Sequence, residues 1–248
     1  MRLTCSRFAV TILLLALLAG CSTHGPAAID VQQHGGMREV MREGRTESRV
    51  DLMEIVDPGL IGVGALAGLA GEVTILDGQV WVARADGDDV RMSGPTPMPG
   101  DHATLLTVAT VQQWQRVECA MEGPVTGAAL ERLIERSAQA VGVDTDRPFP
   151  FVIDGVVEQL EIHCVNGFCP HASGPVPADA KPWRWSADDP LPVRIVGFYA
   201  PSAAGVMTHH GTSLHIHALL DAKGRVLTGH IDAVTLRPGA SLRLPVAR

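Results

Sequence analysis

The pair Asp77-Gly78 constrains this chain more than any other short stretch. It separates Val73-Thr-Ile-Leu76 from Gln79-Val-Trp-Val82. Both flanks are rich in β-branched and aromatic residues, which suit a pleated, half-buried surface. A two-residue connection between such runs needs positive φ at both positions. Asp and Gly tolerate that, so the segment reads as a tight β-hairpin. Ahead of it, Gly59 to Gly71 is glycine-rich and almost free of polar side chains, and it ends directly on Glu72. A carboxylate placed there can be partly buried, which raises its pKa and suits it to proton transfer. A solvated glutamate at a strand end fits the same letters. The glycines do not form a phosphate loop, because no Gly-Lys-Ser/Thr follows, and they miss the Gly-x-Gly-x-x-Gly dinucleotide spacing.

Further β-prone runs are Leu105 to Val111, Phe149 to Ile162, Val193 to Tyr199, Ser213 to Leu220 and Val226 to Leu236. Met37 to Glu43 predicts a short helix. Leu130, Leu133, Ile134, Ala138 and Val141 recur at helical spacing behind Thr126, a candidate cap. Residues 166–192 are proline-rich and read as irregular. Strands outnumber helices and do not alternate with them, which points to an α+β fold rather than a doubly wound sheet. With only 4% aromatic residues, the core must be built from Val, Leu, Ile and Ala.

The start of the chain reads differently. Arg2 and Arg7 precede an apolar run from Phe8 to Leu18, too short to span a bilayer as a stable helix. Residues 1–20 therefore read as a secretory signal peptide. Its end, Leu18-Ala-Gly-Cys21, resembles the lipobox of bacterial lipoproteins, whose cysteine is acylated; an ordinary cleaved signal with a chance cysteine is the plainer alternative. The resemblance implies an exported protein on the periplasmic side, held to the membrane by lipid on Cys21 and not by a helix. Ser22 in place of an aspartate points to the outer membrane where the cell has one. Residues 21–30 read as a tether and 31–248 as the folded domain. A net charge of −7 with no basic patch argues against a nucleic-acid partner. In an oxidising compartment Cys164 and Cys169, close together in a Gly-containing loop, are candidates for a disulfide, leaving Cys119 as a buried free thiol.

The chemistry points to histidines. His215 and His217 lie two apart in the alternating run Ser-Leu-His-Ile-His-Ala-Leu. In a strand, such residues share a face. If Lys223-Gly224 is a two-residue turn, His217 falls opposite His230, with Cβ atoms about 5 Å apart on one face. Three imidazoles so placed suit a transition metal with an open coordination position. The alternatives are a bulged turn, which shifts the register by one, or surface and core histidines that share a sheet face without a ligand. His163, Cys164, Cys169 and His171 form a weaker second cluster whose spacing does not match common zinc sites.

Read in order, several blocks resemble the alpha-acetolactate decarboxylase family. They are Gln32 with Met37-Arg-Glu-Val40 and Gly44, then Gly62-Val-Gly64, Leu69-Ala-Gly-Glu72 and Leu76-Asp-Gly78 with Trp81. Phe149-Pro-Phe-Val-Ile-Asp-Gly155, Val196-Gly-Phe-Tyr-Ala-Pro201, Leu214-His-Ile-His217 and Gly229-His-Ile-Asp232 complete the set. The resemblance spans about residues 30–245. It implies an α+β protein of two mixed-sheet, barrel-like subdomains with few helices, usually a homodimer. It implies Zn2+ on His215, His217 and His230. The implied reaction converts 2-acetolactate, or a related 2-hydroxy-3-keto acid, to acetoin and carbon dioxide. The metal acts as a Lewis acid, and Glu72 helps deliver the proton.

The chain also departs from the family. Its spacing between His217 and His230 is longer by two residues, which keeps the parity. Where the family has an arginine in the strand after Gly155, this chain has His163, which lacks the bidentate fork that grips a carboxylate. No counterpart is expected for a further catalytic glutamate that the family brings back after its last strand. These departures leave a second reading open: a degenerate, lipid-anchored module that binds metal or a small ligand.

Overall fold

A computed structural model describes residues 29–168 and 180–246. The signal peptide, Cys21 and most of the tether lie outside them, as do Cys169 and His171. Among the described residues no helix is long and apolar enough to cross a membrane.

The first sheet uses β1 (Val31–His34), β2 (Val50–Asp51), β3 (Leu60–Leu66), β4 (Glu72–Leu76), β5 (Gln79–Asp86), β6 (Asp89–Ser93) and β7 (His102–Thr110). Their order is β1-β7-β3-β4-β5-β6, with β2 also on β7. Helix α1 (Met37–Arg42) and the single turn α2 (Leu52–Ile55) sit in its connections. The second sheet uses β8 (Trp114–Glu118), β9 (Val125–Thr126), β10 (Phe149–Cys164), β11 (Trp183–Ala187), β12 (Leu191–Tyr199), β13 (Leu214–Ala222), β14 (Arg225–Leu236) and β15 (Ser241–Pro245). Helix α3 (Gly127–Ala140) follows β9. Strand β10 pairs with both β12 and β14, and β13 joins those two, so β10, β12, β13 and β14 close into a four-stranded barrel. The protein is α+β, with few helices, a barrel and a second sheet.

The local predictions have local causes. Asp77 and Gly78 take φ of +52° and +77°, the positive values a two-residue hairpin needs. Helix α3 buries Leu130, Leu133, Ile134 and Ala138, the residues picked out by their spacing. Thr126 stands at its N-cap in extended conformation, but its side chain makes no capping hydrogen bond. Two expectations need correction. The named strands pair antiparallel throughout, where the family resemblance implied mixed sheets. The stretch 166–192 is not wholly irregular, because Trp183–Ala187 forms β11 against β10.

Apolar side chains weld the two sheets. Ile61, Val63, Leu76 and Ala109 of the first sheet pack with Val152, Val196, Phe198 and Leu219 of the second in one buried cluster. At roughly 1.5–3 kcal/mol for each buried Val, Leu, Ile or Phe, this seam is a major contribution to stability. It also brings the N-terminal end of β4, with Glu72, over the barrel.

Candidate metal centre

Strand β13 holds His215 and His217 on one face, and β14 holds His230 directly opposite His217. The uninterrupted ladder down to Ala222↔Arg225 shows that Lys223-Gly224 is the two-residue turn the register required. One nitrogen from each of the three rings lies within 4.8 Å of the others. Ring centroids are 5.3 Å apart for His215 and His217, 5.4 Å for His215 and His230, and 5.5 Å for His217 and His230. His217 is fully buried and His215 nearly so, whereas His230 is partly open to the cleft described below.

The nitrogens divide by role. Nδ1 of His217 is 3.0 Å from Oγ1 of Thr74, while its Nε2 has no hydrogen-bond partner. His215 leaves Nδ1 without one. Buried polar atoms are normally satisfied. Two bare ring nitrogens in a cluster of three imidazoles therefore fit a cation, and the other nitrogen of His217 is held by Thr74, as metal-ligating histidines usually are. Burial pushes the His215 pKa down to about 3, and the neighbouring His209 adds to the effect. His217 and His230 are likewise held well below the ordinary histidine value, by burial first and by nearby imidazoles second. The rings are therefore neutral at physiological pH, the state in which imidazole binds metal.

Glu72 comes from the other sheet. It is 4% exposed, its Oε2 lies 3.6 Å from Nε2 of His217, and its Oε1 accepts a hydrogen bond of 3.3 Å from the Val165 amide. Burial raises its pKa to about 7, against the opposing pull of His163 and that amide. Gly71 makes the placement feasible, because a Cβ there would come within 2.2 Å of the Ala83 carbonyl oxygen.

His163 stands on β10 directly across from His230. This alignment depends on a β-bulge. Glu161 pairs with Ala233 but Ile162 pairs with Ile231, so Asp232 is the extra residue on β14. Its Oδ1 is 2.8 Å from Nδ1 of His163, and its Oδ2 accepts a 2.6 Å hydrogen bond from Arg184. Nε2 of His163 is 3.9 Å from Oε1 of Glu72. His163 thus borders the histidine cluster with one nitrogen tied to a carboxylate.

Of the weaker His163–Cys164–Cys169–His171 cluster, only His163 and Cys164 lie within the described residues. His163 and Cys164 are consecutive in a strand and face opposite ways. Cys164, weighed as half of a disulfide with Cys169, is a free buried thiol whose Sγ donates to the Ala83 carbonyl at 3.2 Å. Burial lifts its pKa to about 12. Cys119 is also buried and free.

Sequence reasoning missed Thr74, Thr228, Asp232 and His209. The first two were within reach, since Thr74 lies two residues after Glu72 and Thr228 two before His230, on the same strand faces. His209 sits on the loop before β13, its ring 5.4 Å from that of His230. It lines a cleft of about 630 Å3 with Met37, Arg38, Leu130, His230 and Asp232 among its walls. Through this cleft His230 is reached from outside.

The sequence pattern of alpha-acetolactate decarboxylase matches residues 31–245. The chain belongs to the alpha-acetolactate decarboxylase family. Among solved structures, alpha-acetolactate decarboxylase from Bacillus subtilis strain 168 has the same fold, with a TM-score of 0.64 at 19% identity over 87% of this chain and 85% of that one. Acetolactate decarboxylase from Bacillus subtilis subspecies spizizenii gives 0.64 at 20% identity over 88% and 86%. A Staphylococcus aureus protein of unknown function, similar to alpha-acetolactate decarboxylase, gives 0.62 at 18% identity over 86% and 84%. No curated protein sequence matches significantly.

Proposed function

We propose that this member of the alpha-acetolactate decarboxylase family is a metal-dependent carboxy-lyase that converts 2-acetolactate, or a related 2-hydroxy-3-keto acid, to acetoin or its analogue and carbon dioxide. The observation that carries the reading is the pairing of three converging neutral imidazoles with one buried carboxyl group of pKa about 7.

His215, His217 and His230 would hold a divalent ion such as Zn2+. When bound, the ion supplies Lewis-acid stabilisation of negative charge on the substrate's hydroxyl and ketone oxygens. The chain's own residues do the rest. In the reaction the bond from C2 to the carboxylate breaks, carbon dioxide leaves, and the electron pair stays on the hydroxy-keto unit until carbon takes a proton. Glu72 is the group placed to hold that proton. Its site keeps it protonated up to about pH 7, where an ordinary glutamate has long been ionised. His163, steadied by Asp232, stands 3.9 Å from the other carboxyl oxygen and acts on it through its charge. Apolar walls such as Met37, Val40, Leu69 and Leu105 keep bulk water from the carboxyl.

The test is turnover of 2-acetolactate by the purified chain with added Zn2+, read as acetoin colour and carbon dioxide. Product no faster than with a His215→Ala control would refute the enzyme. A second reading, a lipid-anchored module that binds metal or a small ligand without turnover, is favoured by one feature: His163, which the sequence reading puts where the family has an arginine, is already engaged by Asp232. Metal binding without turnover would decide for it. For either reading we propose export, a lipid anchor on Cys21 and a homodimer. Labelled palmitate retained by the wild type and lost in Cys21→Ser, and sedimentation of the unanchored chain, test these points.

A further inference from the structure

Thr74 on β4 bridges the two sheets. Its Oγ1 lies 3.0 Å from Nδ1 of His217 and 2.6 Å from Oγ1 of Thr228, and all three residues are fully buried. Oγ1 of Thr228 lies 2.6 Å from the Ala218 carbonyl oxygen. A carbonyl only accepts, and a threonine hydroxyl carries a single hydrogen. Thr228 must therefore donate to Ala218. That leaves Thr228 able only to accept from Thr74, so the Thr74 hydrogen is committed as well. Thr74 can then only accept from His217, and Nδ1 of His217 must carry the ring's proton.

We infer that Thr228, acting through Thr74, fixes the tautomer of His217 so that Nε2 presents its lone pair toward His215 and His230. The opposite tautomer would set the bare Nδ1 against a spent hydroxyl. It would also bury an N–H at Nε2 with no acceptor, since Oε2 of Glu72 at 3.6 Å is beyond hydrogen-bond range. The lock acts at one remove: the Thr228 hydroxyl reaches His217 by way of Thr74 and belongs to the strand that carries His230. Thr74 and Thr228 are positioning residues. Their role toward the metal rests on the metal-dependent reading above, whereas the ring tautomer does not.

The experiment labels the histidines of the full chain with nitrogen-15. Ring nitrogen shifts are recorded in the metal-free protein, and Zn2+ affinity is then measured by competition with a chelator. In the wild type the His217 ring should be a single species protonated at Nδ1. Thr228→Val, close to isosteric, frees the Thr74 hydrogen to turn toward Nδ1. It should give a mixture of tautomers and weaken Zn2+ binding about 10- to 100-fold. Thr228→Ser should restore both readings, which a merely structural defect would not do. Protonation at Nε2 in the wild type, or a Thr228→Val protein with unchanged shifts and unchanged affinity, would overturn the inference. A wild type with the expected shifts but no Zn2+ binding would sink the metal reading and leave the lock standing.

Discussion

Oε2 of Glu72 lies 3.6 Å from Nε2 of His217, although the two residues belong to different sheets and neither ring nitrogen nor carboxyl oxygen is within hydrogen-bond reach of the other. The gap joins the two halves of the chemistry. On one side is a nitrogen without a partner; on the other is a carboxyl that burial keeps neutral to about pH 7.

Glu72→Gln should therefore separate binding from proton delivery. The amide matches the shape of the neutral acid, so folding and Zn2+ content should be kept. Acetoin formation should fall by about 10²–10⁴-fold, the usual contribution of a positioned acid or base. Activity within a few-fold of wild type, with metal retained, would remove Glu72 from the mechanism.

The metal-free protein should lose stability on acidification. His215 titrates at about 3 when folded against an ordinary value of 6.5, so between these values the unfolded chain takes up a proton that the folded chain refuses. Its contribution is complete above pH 6.5 and is lost as pH falls toward 3, on the order of a few kcal/mol. Glu72 has the opposite sign: its contribution is complete below 4.5 and is lost as pH rises to about 7. His217 and His230 shift in the same direction as His215, so the histidines prevail. Urea midpoints of chelator-treated protein should rise from pH 4.5 to 6.5, and His215→Gln should flatten that rise.

Gly229→Ala should damage the site through the backbone. A Cβ there would meet the His163 carbonyl oxygen at 2.6 Å, so β14 would have to back away from β10 beside His230. The expected cost is roughly 1–3 kcal/mol, as for other overpacked interiors, together with weaker Zn2+ binding. Gly123→Ala, which meets nothing within 4 Å, should stay within about 0.5 kcal/mol of wild type. Equal melting temperatures for the two variants would contradict the close approach of the strands.

Cys164 should resist iodoacetamide in the native protein, since its thiol is buried and its pKa is lifted to about 12. Unfolding without reductant should expose it, and peptide mass should show the label on Cys164. A linked, unlabelled Cys164–Cys169 peptide would count against the free thiol.

The segment from Ser213 to Leu236 shows how far local reasoning reaches. Alternation put His215 and His217 on one face, and turn chemistry at Lys223-Gly224 set His217 against His230. Both inferences depend on residues a few positions apart. The strand Leu60–Leu66 escaped the same reasoning. It is buried on both faces, so it carries no alternation to read. Strand β11 was hidden by its proline-rich surroundings, because pairing with β10 and not its own composition makes it a strand.

From the letters alone came the hairpin at Asp77-Gly78, the helix behind Thr126, the α+β class and the three-histidine set, because periods and turns are properties of neighbouring residues. Only the tertiary structure placed Glu72 and Thr74 against His217, bulged β14 at Asp232 to bring His163 into line with His230, and aligned the Thr228 hydroxyl with Thr74. Those contacts join strands distant in sequence. Their geometry is decided by how two whole sheets pack, and no local pattern encodes that.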